Sequence, residues 1–229
     1  MRNNIFLFQL LFIMLISLAA CGTTSKEATL EIQTVSQEEA IGDPVAKIPA
    51  YLPNENSHSR ENPITHIVLH FSSNVLANPA DPFIPEDIRQ IFIEYGVSAH
   101  YMIGRDGEIH QLVPEERVAY DAGKGDLPDF PNYKNRLNEY SIGIELLAIG
   151  TKTEMQTMMM SEAAYNELTA PLIGYTDEQY EALDKLLAEI VTRNPQIHYT
   201  RQYIVGHDEY APERKTDPGS LFDWSKIGL

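Results

Sequence analysis

The chain has 229 residues, 43% of them hydrophobic and 9% aromatic, which is enough to bury one sizeable core, so a single domain is expected. Its formal charge of -16, from 33 acidic against 17 basic side chains, argues against nucleic acid as a partner, because phosphates would be repelled by such a surface. It leaves room for a locally positive cleft.

Arg2 precedes an apolar run from Ile5 to Ala20, too short for a comfortable membrane span, and residues 1–20 read as a signal peptide. The run ends in Leu18-Ala-Ala-Cys21, two small residues directly before the chain's single cysteine, and resembles the lipobox of bacterial lipoproteins. One cysteine gives no disulfide framework, and Cys21 is expected to be the lipid attachment point. Gly22, rather than an aspartate, follows it and favours anchoring in the outer membrane, facing the periplasm, if the envelope is Gram-negative. Residues 21–62 are rich in Thr, Ser, Glu, Gln and Pro and read as the lipidated cysteine and a flexible tether, with the globular domain at 63–229.

Within that domain, Ile64–Ser73 alternates, is rich in β-branched residues and predicts a central strand carrying His70 near its end. Ile84–Gly96, with Pro85 at the first turn, acids beside it and a terminal glycine, predicts an amphipathic helix. Ala99–Val113 is a hairpin pattern around Arg105-Asp-Gly107. Tyr140–Gly150 is a buried strand with Glu145 in the middle of its apolar run. Thr151–Gly174 holds four of the seven methionines and has no clear turn grammar; a lid, a pliable contact surface and a poorly ordered loop are its alternatives. Thr176-Asp-Glu-Gln179 is a capping box opening a helix to about Arg193. Tyr203–Gly206 is a short strand followed by His207 and a loop through Lys215 and Asp217. Alternating strands and helices with one hairpin predict an α/β fold, a central mixed β-sheet flanked by helices.

His70 and His207 both sit at strand ends, and Asp217 follows in a loop that can curl back. Two imidazoles and a carboxylate are a common open zinc set. Glu145 in an apolar strand needs a partner, and a metal-bound water is a good one. Singly, each residue also suits a plainer role: a hydrogen-bonded core histidine, a solvated Lys–Asp loop pair, a strand carboxylate facing an arginine. Spacing and topology alone leave both readings open.

Four blocks, His66-Ile-Val-Leu-His-Phe-Ser72, Val97 to Glu116, Asn138 to Leu147 and Ile204 to Trp224, together resemble the zinc N-acetylmuramoyl-L-alanine amidases, the family shared with peptidoglycan recognition proteins and phage amidase lysozymes. The resemblance runs from about Thr65 to Trp224 and is nearest to the lipid-anchored periplasmic branch. It implies hydrolysis of the amide between N-acetylmuramic acid and L-alanine in peptidoglycan or muropeptides; apart from that substrate the expected partner is the membrane, through the N-terminal lipid, and the chain is expected to be a monomer. It further implies one zinc ion on His70, His207 and Asp217, with Glu145 activating water and Lys215 stabilising the transition state. Asp121 is a weaker candidate for a substrate contact, and so is His100, for which a role behind the site or in the structure of the hairpin is the favoured alternative. Two departures stand out. Many members read Trp-His-Ala-Gly where this chain has Tyr120-Asp-Ala-Gly123, and the phage enzymes carry a tyrosine where Ala99 stands. A non-catalytic peptidoglycan-binding module is the alternative, and retention of all five site residues weighs against it.

Overall fold

Two parallel strands in the middle of a mixed sheet carry the fold. The computed structural model describes residues 44–229 apart from residue 159, so the expected signal peptide, Cys21 and the tether up to residue 43 lie outside the described residues. Its strands are β1 (Ile48–Pro49), β2 (Ser57–Ser59), β3 (His66–Ser72), β4 (Tyr101–Ile103), β5 (Ile109–Gln111), β6 (Arg117–Ala119), β7 (Ser141–Leu147) and β8 (Ile204–Gly206). The α-helices are α1 (Pro85–Tyr95), α2 (Lys152–Thr157), α3 (Glu162–Asn166), α4 (Asp177–Arg193) and α5 (His207–Tyr210). Six strands form one sheet in the order β1-β5-β4-β7-β3-β8, with only β4 and β5 antiparallel, as the α/β reading requires. A separate antiparallel ribbon pairs β2 with β6.

Because successive side chains on a strand alternate between faces, the sheet sorts its residues by parity. Ile67 and Leu69 of β3 and Ile142, Ile144 and Leu146 of β7 pack against Leu183, Leu186, Leu187 and Ile190 of α4. Those α4 residues recur at helical spacing and build one apolar stripe. Truncating any one of these leucines to alanine costs about 2–5 kcal/mol. The intervening residues turn to the other face, where Val68 meets Ala122, Leu137 and Tyr210, and Met102 of β4 meets Ile88 and Phe92 of α1. α4 opens on its predicted capping box, with Thr176 Oγ1 accepting from the Gln179 N–H and Gln179 Oε1 from the Thr176 N–H, both at 3.1 Å. α1 starts at Pro85 and stops at Gly96, whose φ of +63° is the left-handed conformation that glycine adopts without steric cost.

The tether expectation fails at its C-terminal end. β1 extends the sheet beyond β5, with Ala50 and Leu52 N–H groups donating to Gln111 and Leu112 carbonyls at 2.9 Å. Buried Asn56 bonds the Phe92 and Val97 carbonyls at 2.9 Å, and Arg60 spends its guanidinium on the carbonyls of Glu115, Glu139, Arg117 and Ser141, each at 2.9 Å. The domain therefore begins before Pro63. Polar composition misleads here because the segment is held by main-chain pairing and satisfied polar groups rather than by an apolar face.

The methionine-rich segment is a folded flap, which settles the choice left open by its sequence against a poorly ordered loop. Thr151 and Glu154 form a capping box on α2, and Met155 and Met160 are buried against Phe71, Val75, Ala148 and Ile149. Glu154 also accepts from the Ser220 N–H at 2.7 Å, pinning the flap to the loop that follows Asp217. From the other side Arg105, in the predicted hairpin turn, donates to the carbonyls of Leu147, Pro171 and Gly174.

Two predictions follow from these contacts. Glu154→Ala removes both ties and is expected to cost about 1 kcal/mol, in the range of lost helix caps, and to speed protease cleavage between residues 151 and 174; unchanged stability and cleavage would refute the tie. The second concerns His66, fully buried against Phe130, Tyr133 and Tyr203, whose pKa burial pushes down from 6.5 to about 4 against the weaker opposing pull of the Gln202 backbone carbonyl. A depressed folded-state pKa gives stability that is complete above the unfolded value and is lost as pH falls from 6.5 through about 4. Urea unfolding should show His66→Phe losing less stability than the wild type over that window, where each such group changes stability by up to about 1.4 kcal/mol per pH unit.

Candidate active site

The pairing of β3 with β7 sets His70 directly beside Glu145, both on the face turned away from α4. β8 lies on the other side of β3 and ends at Gly206, so the next residue, His207 at the start of α5, arrives at the same sheet edge. Only glycine fits at 206, since a Cβ there would stand 2.9 Å from Pro218 Cδ. The loop after α5 returns to this point, where the Asp208 N–H donates to the Asp217 carbonyl at 2.7 Å and brings the Asp217 carboxylate under both imidazoles.

The result is a triangle of donor atoms. His70 Nδ1 lies 2.9 Å from His207 Nδ1 and 2.9 Å from Asp217 Oδ2, and His207 Nδ1 lies 3.0 Å from the same oxygen. All three residues are at most 3% exposed, so water cannot screen the cluster. His207 Nε2 is 2.9 Å from the Ala122 carbonyl and must carry the proton that this acceptor needs, which leaves Nδ1 with a lone pair aimed into the triangle. Two nitrogens facing each other hold at most one proton between them, and Asp217 Oδ1 has no hydrogen-bond partner. Among the described residues this is the one group of three histidine, cysteine or acidic side chains spaced to hold a metal ion.

The charges are strongly coupled. Burial pushes His70 down, but the Glu145 and Asp217 carboxylates outweigh it and raise the imidazole to about 9. Burial and the neighbouring His70 lower His207 to about 4. Asp217 is buried too, yet its two histidine hydrogen bonds hold it well below the usual carboxylate range. Glu145 is raised, by burial first and then by Asp217, against the opposing pull of His70. Its Oε2 accepts a hydrogen bond from Ser72 Oγ at 2.7 Å. Ser72 was legible as a neighbour, two residues beyond His70 and hence on the same face, but the motif reading passed over it.

Lys215 lines the same cavity of about 270 Å³ as His70, Glu145, His207 and Asp217, so the five principal residues expected from the sequence meet in one place. Asp121 lines it as well. Its Oδ1 accepts from the Ala122 N–H at 2.6 Å while Oδ2 is buried without a partner, over Gly143, where any Cβ would collide with this carboxylate. The Ala122 carbonyl receives a second donor, Arg214 Nη2, and Arg214 Nε reaches the Lys124 carbonyl at 2.8 Å, so the segment that orients His207 is fastened to the residue before Lys215. His100 does not reach the cavity, so of its two expected roles the structural one fits and the substrate contact does not. It is fully buried, with Nδ1 accepting from the Gly143 N–H at 3.0 Å and Nε2 3.1 Å from the Arg117 carbonyl. Its imidazole braces β7 from within, held neutral with a pKa of about 3 by burial and then by the charge of Arg60.

Known proteins resemble this chain in sequence and in fold. The profile of the Amidase_2 family, N-acetylmuramoyl-L-alanine amidase, matches residues 60–220. The 1,6-anhydro-N-acetylmuramyl-L-alanine amidase AmpD of Citrobacter freundii is 39% identical over 131 residues, 57% of this chain and 55% of the relative. N-acetylmuramoyl-L-alanine amidase AmiD of Escherichia coli K12 is 33% identical over 138 residues, 57% of this chain and 43% of the relative. The chain thus spans about half the length of these curated relatives. A crystal structure of a selenomethionine AmpD derivative superposes with a TM-score of 0.57 at 30% identity, over 77% of this chain and 90% of that one. E. coli AmiD in complex with anhydro-N-acetylmuramic acid-L-Ala-D-γ-Glu-L-Lys superposes with a TM-score of 0.50 at 28% identity, over 72% of this chain and 56% of that one. With the family profile matching residues 60–220, the chain belongs to the Amidase_2 family of N-acetylmuramoyl-L-alanine amidases.

Proposed function

We propose that this chain is a zinc amidase that hydrolyses the bond between N-acetylmuramic acid and L-alanine in peptidoglycan fragments. The observation that carries the reading is the donor triangle of His70, His207 and Asp217, with Glu145 beside it. Two imidazole nitrogens and a carboxylate oxygen converge in a buried site where a single proton can serve only part of the set, and a metal cation would satisfy all three. A set of two nitrogens and one oxygen fits zinc with a position left for water. The substrate bound by AmiD supports a muropeptide as the molecule cut here.

Zinc in such a site supplies Lewis acidity and lowers the pKa of water toward neutrality. The chain's own residues then divide the work. Glu145, oriented by Ser72, takes the proton of the attacking water and returns it to the departing amine of L-alanine. Lys215 offers its ammonium to the oxygen on which negative charge develops, a kind of contact worth about 3 kcal/mol where one donor has been removed in other enzymes. His207 is kept in the required tautomer by the Ala122 carbonyl. Asp121 lines the same wall with a carboxyl group whose pKa burial raises and whose Oδ2 has no hydrogen-bond partner.

Glu145→Ala should retain zinc and lose about 100-fold to 10,000-fold in turnover. Asp217→Ala should lose zinc and activity together, because two imidazoles leave the shell incomplete. Zinc content, melting temperature and cleavage of an anhydromuropeptide in both variants test this. Wild-type turnover in Glu145→Ala would overturn the mechanism, and a wild-type protein that binds muropeptide without cutting it would make the chain a binding module.

We further propose that the enzyme belongs to the lipid-anchored branch of the family and is held through Cys21 on the periplasmic face of the outer membrane. The sequence Leu18-Ala-Ala-Cys21 after an apolar leader supports it. Metabolic labelling with a fatty-acid precursor is expected to mark the wild type and not Cys21→Ala; equal labelling of the two would end the idea.

A further inference from the structure

Tyr120 stands on the wall of the catalytic cavity, next to Asp121. Its backbone is fixed at both ends by Ser98, whose Oγ accepts from the Tyr120 N–H at 2.7 Å and whose N–H donates to the Tyr120 carbonyl at 3.3 Å. Ser98 Oγ in turn donates to the Asn56 carbonyl at 2.6 Å. The side chain is fixed as well. His58, on β2, stacks on the tyrosine ring with centroids 5.6 Å apart and planes 28° apart, and its Nδ1 lies 3.2 Å from the Tyr120 hydroxyl. His58 Nε2 faces Glu139 Oε1 at 3.2 Å. A carboxylate only accepts, so Nε2 carries a proton and, in the neutral ring, Nδ1 accepts the tyrosine O–H. Glu139, His58 and Tyr120 thus form a chain of hydrogen bonds that ends on an aromatic ring at the cavity.

Nothing in the proposed proton transfer uses this ring. Its chemistry suits another task, because the C–H face of a pyranose packs on a flat, rigid aromatic surface that gives contact area at little entropic cost. Charge decides which half of the substrate belongs there. In the scissile amide the carboxyl of the muramic acid lactyl group is consumed, so the sugar is neutral. The stem peptide keeps free carboxylates, which Glu139, paired with His58 behind the Tyr120 ring, would repel.

Resting on the muropeptide reading above, we propose that Tyr120 is a specificity-determining residue that packs against the muramic acid ring, and that His58 and Glu139 are positioning residues that hold it there. His58 precedes the residues matched by the family profile, 60–220, so the N-terminal strap contributes to substrate recognition as well as to the fold.

The test is steady-state kinetics of the metal-loaded protein on anhydro-N-acetylmuramyl-tripeptide, with the sugar and the tripeptide each added separately as inhibitors. Tyr120→Ala is expected to raise KM about tenfold with kcat within about threefold, and to weaken inhibition by the sugar while leaving inhibition by the peptide unchanged. Tyr120→Phe and His58→Ala should each raise KM about twofold to fivefold, and the double variant no further, because both break one chain of contacts. Equal weakening of sugar and peptide inhibition, or full additivity of the two mild variants, would overturn the proposal. The two mild variants decide the matter if Tyr120→Ala does not fold. A wild type that cleaves nothing sinks the amidase reading itself, whereas an active wild type with an unaffected Tyr120→Ala sinks only this assignment.

Discussion

The parallel register of β3 against β7 is the constraint from which the site follows. His70 opposite Glu145 fixes the separation of the two groups through the backbone ladder, not through flexible side chains. A slip of β7 by one residue would turn Glu145 toward α4, into a layer of isoleucine and leucine that could not accommodate its charge, and would take it away from His70. The same apolar layer that stabilises the sheet therefore enforces the alignment of the chemistry on its opposite face.

That alignment concentrates charge where the protein can least screen it. Asp217, Glu145 and Asp121 all border one cavity with two imidazoles and a single ammonium. The opposed shifts of His70 and His207 show what a buried cluster does when its members cannot all take their preferred charge: one imidazole is drawn toward the cation and the other is pushed to neutrality. A metal ion is the natural complement to such a cluster, since it supplies positive charge at the point where the lone pairs converge. The supporting shell is built from backbone. Gly143 makes room for Asp121, Gly206 lets the chain pass Pro218, and the Ala122 carbonyl orients His207.

The parts outside the sheet centre shape access rather than chemistry. The strap from residue 48 to residue 60 and the methionine flap both contribute to the wall, His58 through Tyr120 and the flap through Met155 and Met158. Both are pinned by bonds to main-chain groups.

How much of this was legible in the sequence depends on the period of the pattern. Strong alternation in Ile64–Ser73 and Tyr140–Gly150, the helix of α4 with its capping box, and the hairpin at Gly107 are local signals, and each element appears where expected. His70, Glu145, His207, Lys215 and Asp217 were also found, because their spacing within blocks is characteristic and the resemblance rests on short-range order. Other features depended on tertiary contacts. Residues 48–60 carry no apolar period, since they are held by edge pairing and by Asn56 and Arg60, and so they read as tether. For His100 the sequence left a cleft contact open beside a structural role, because its chemistry is visible in the sequence while its burial is not. Sequence by itself determined which groups could do chemistry, through local pattern and residue type; the tertiary structure decided which of them share a cavity and which are sealed in the core, because that depends on sheet register and on loops that return over more than a hundred residues.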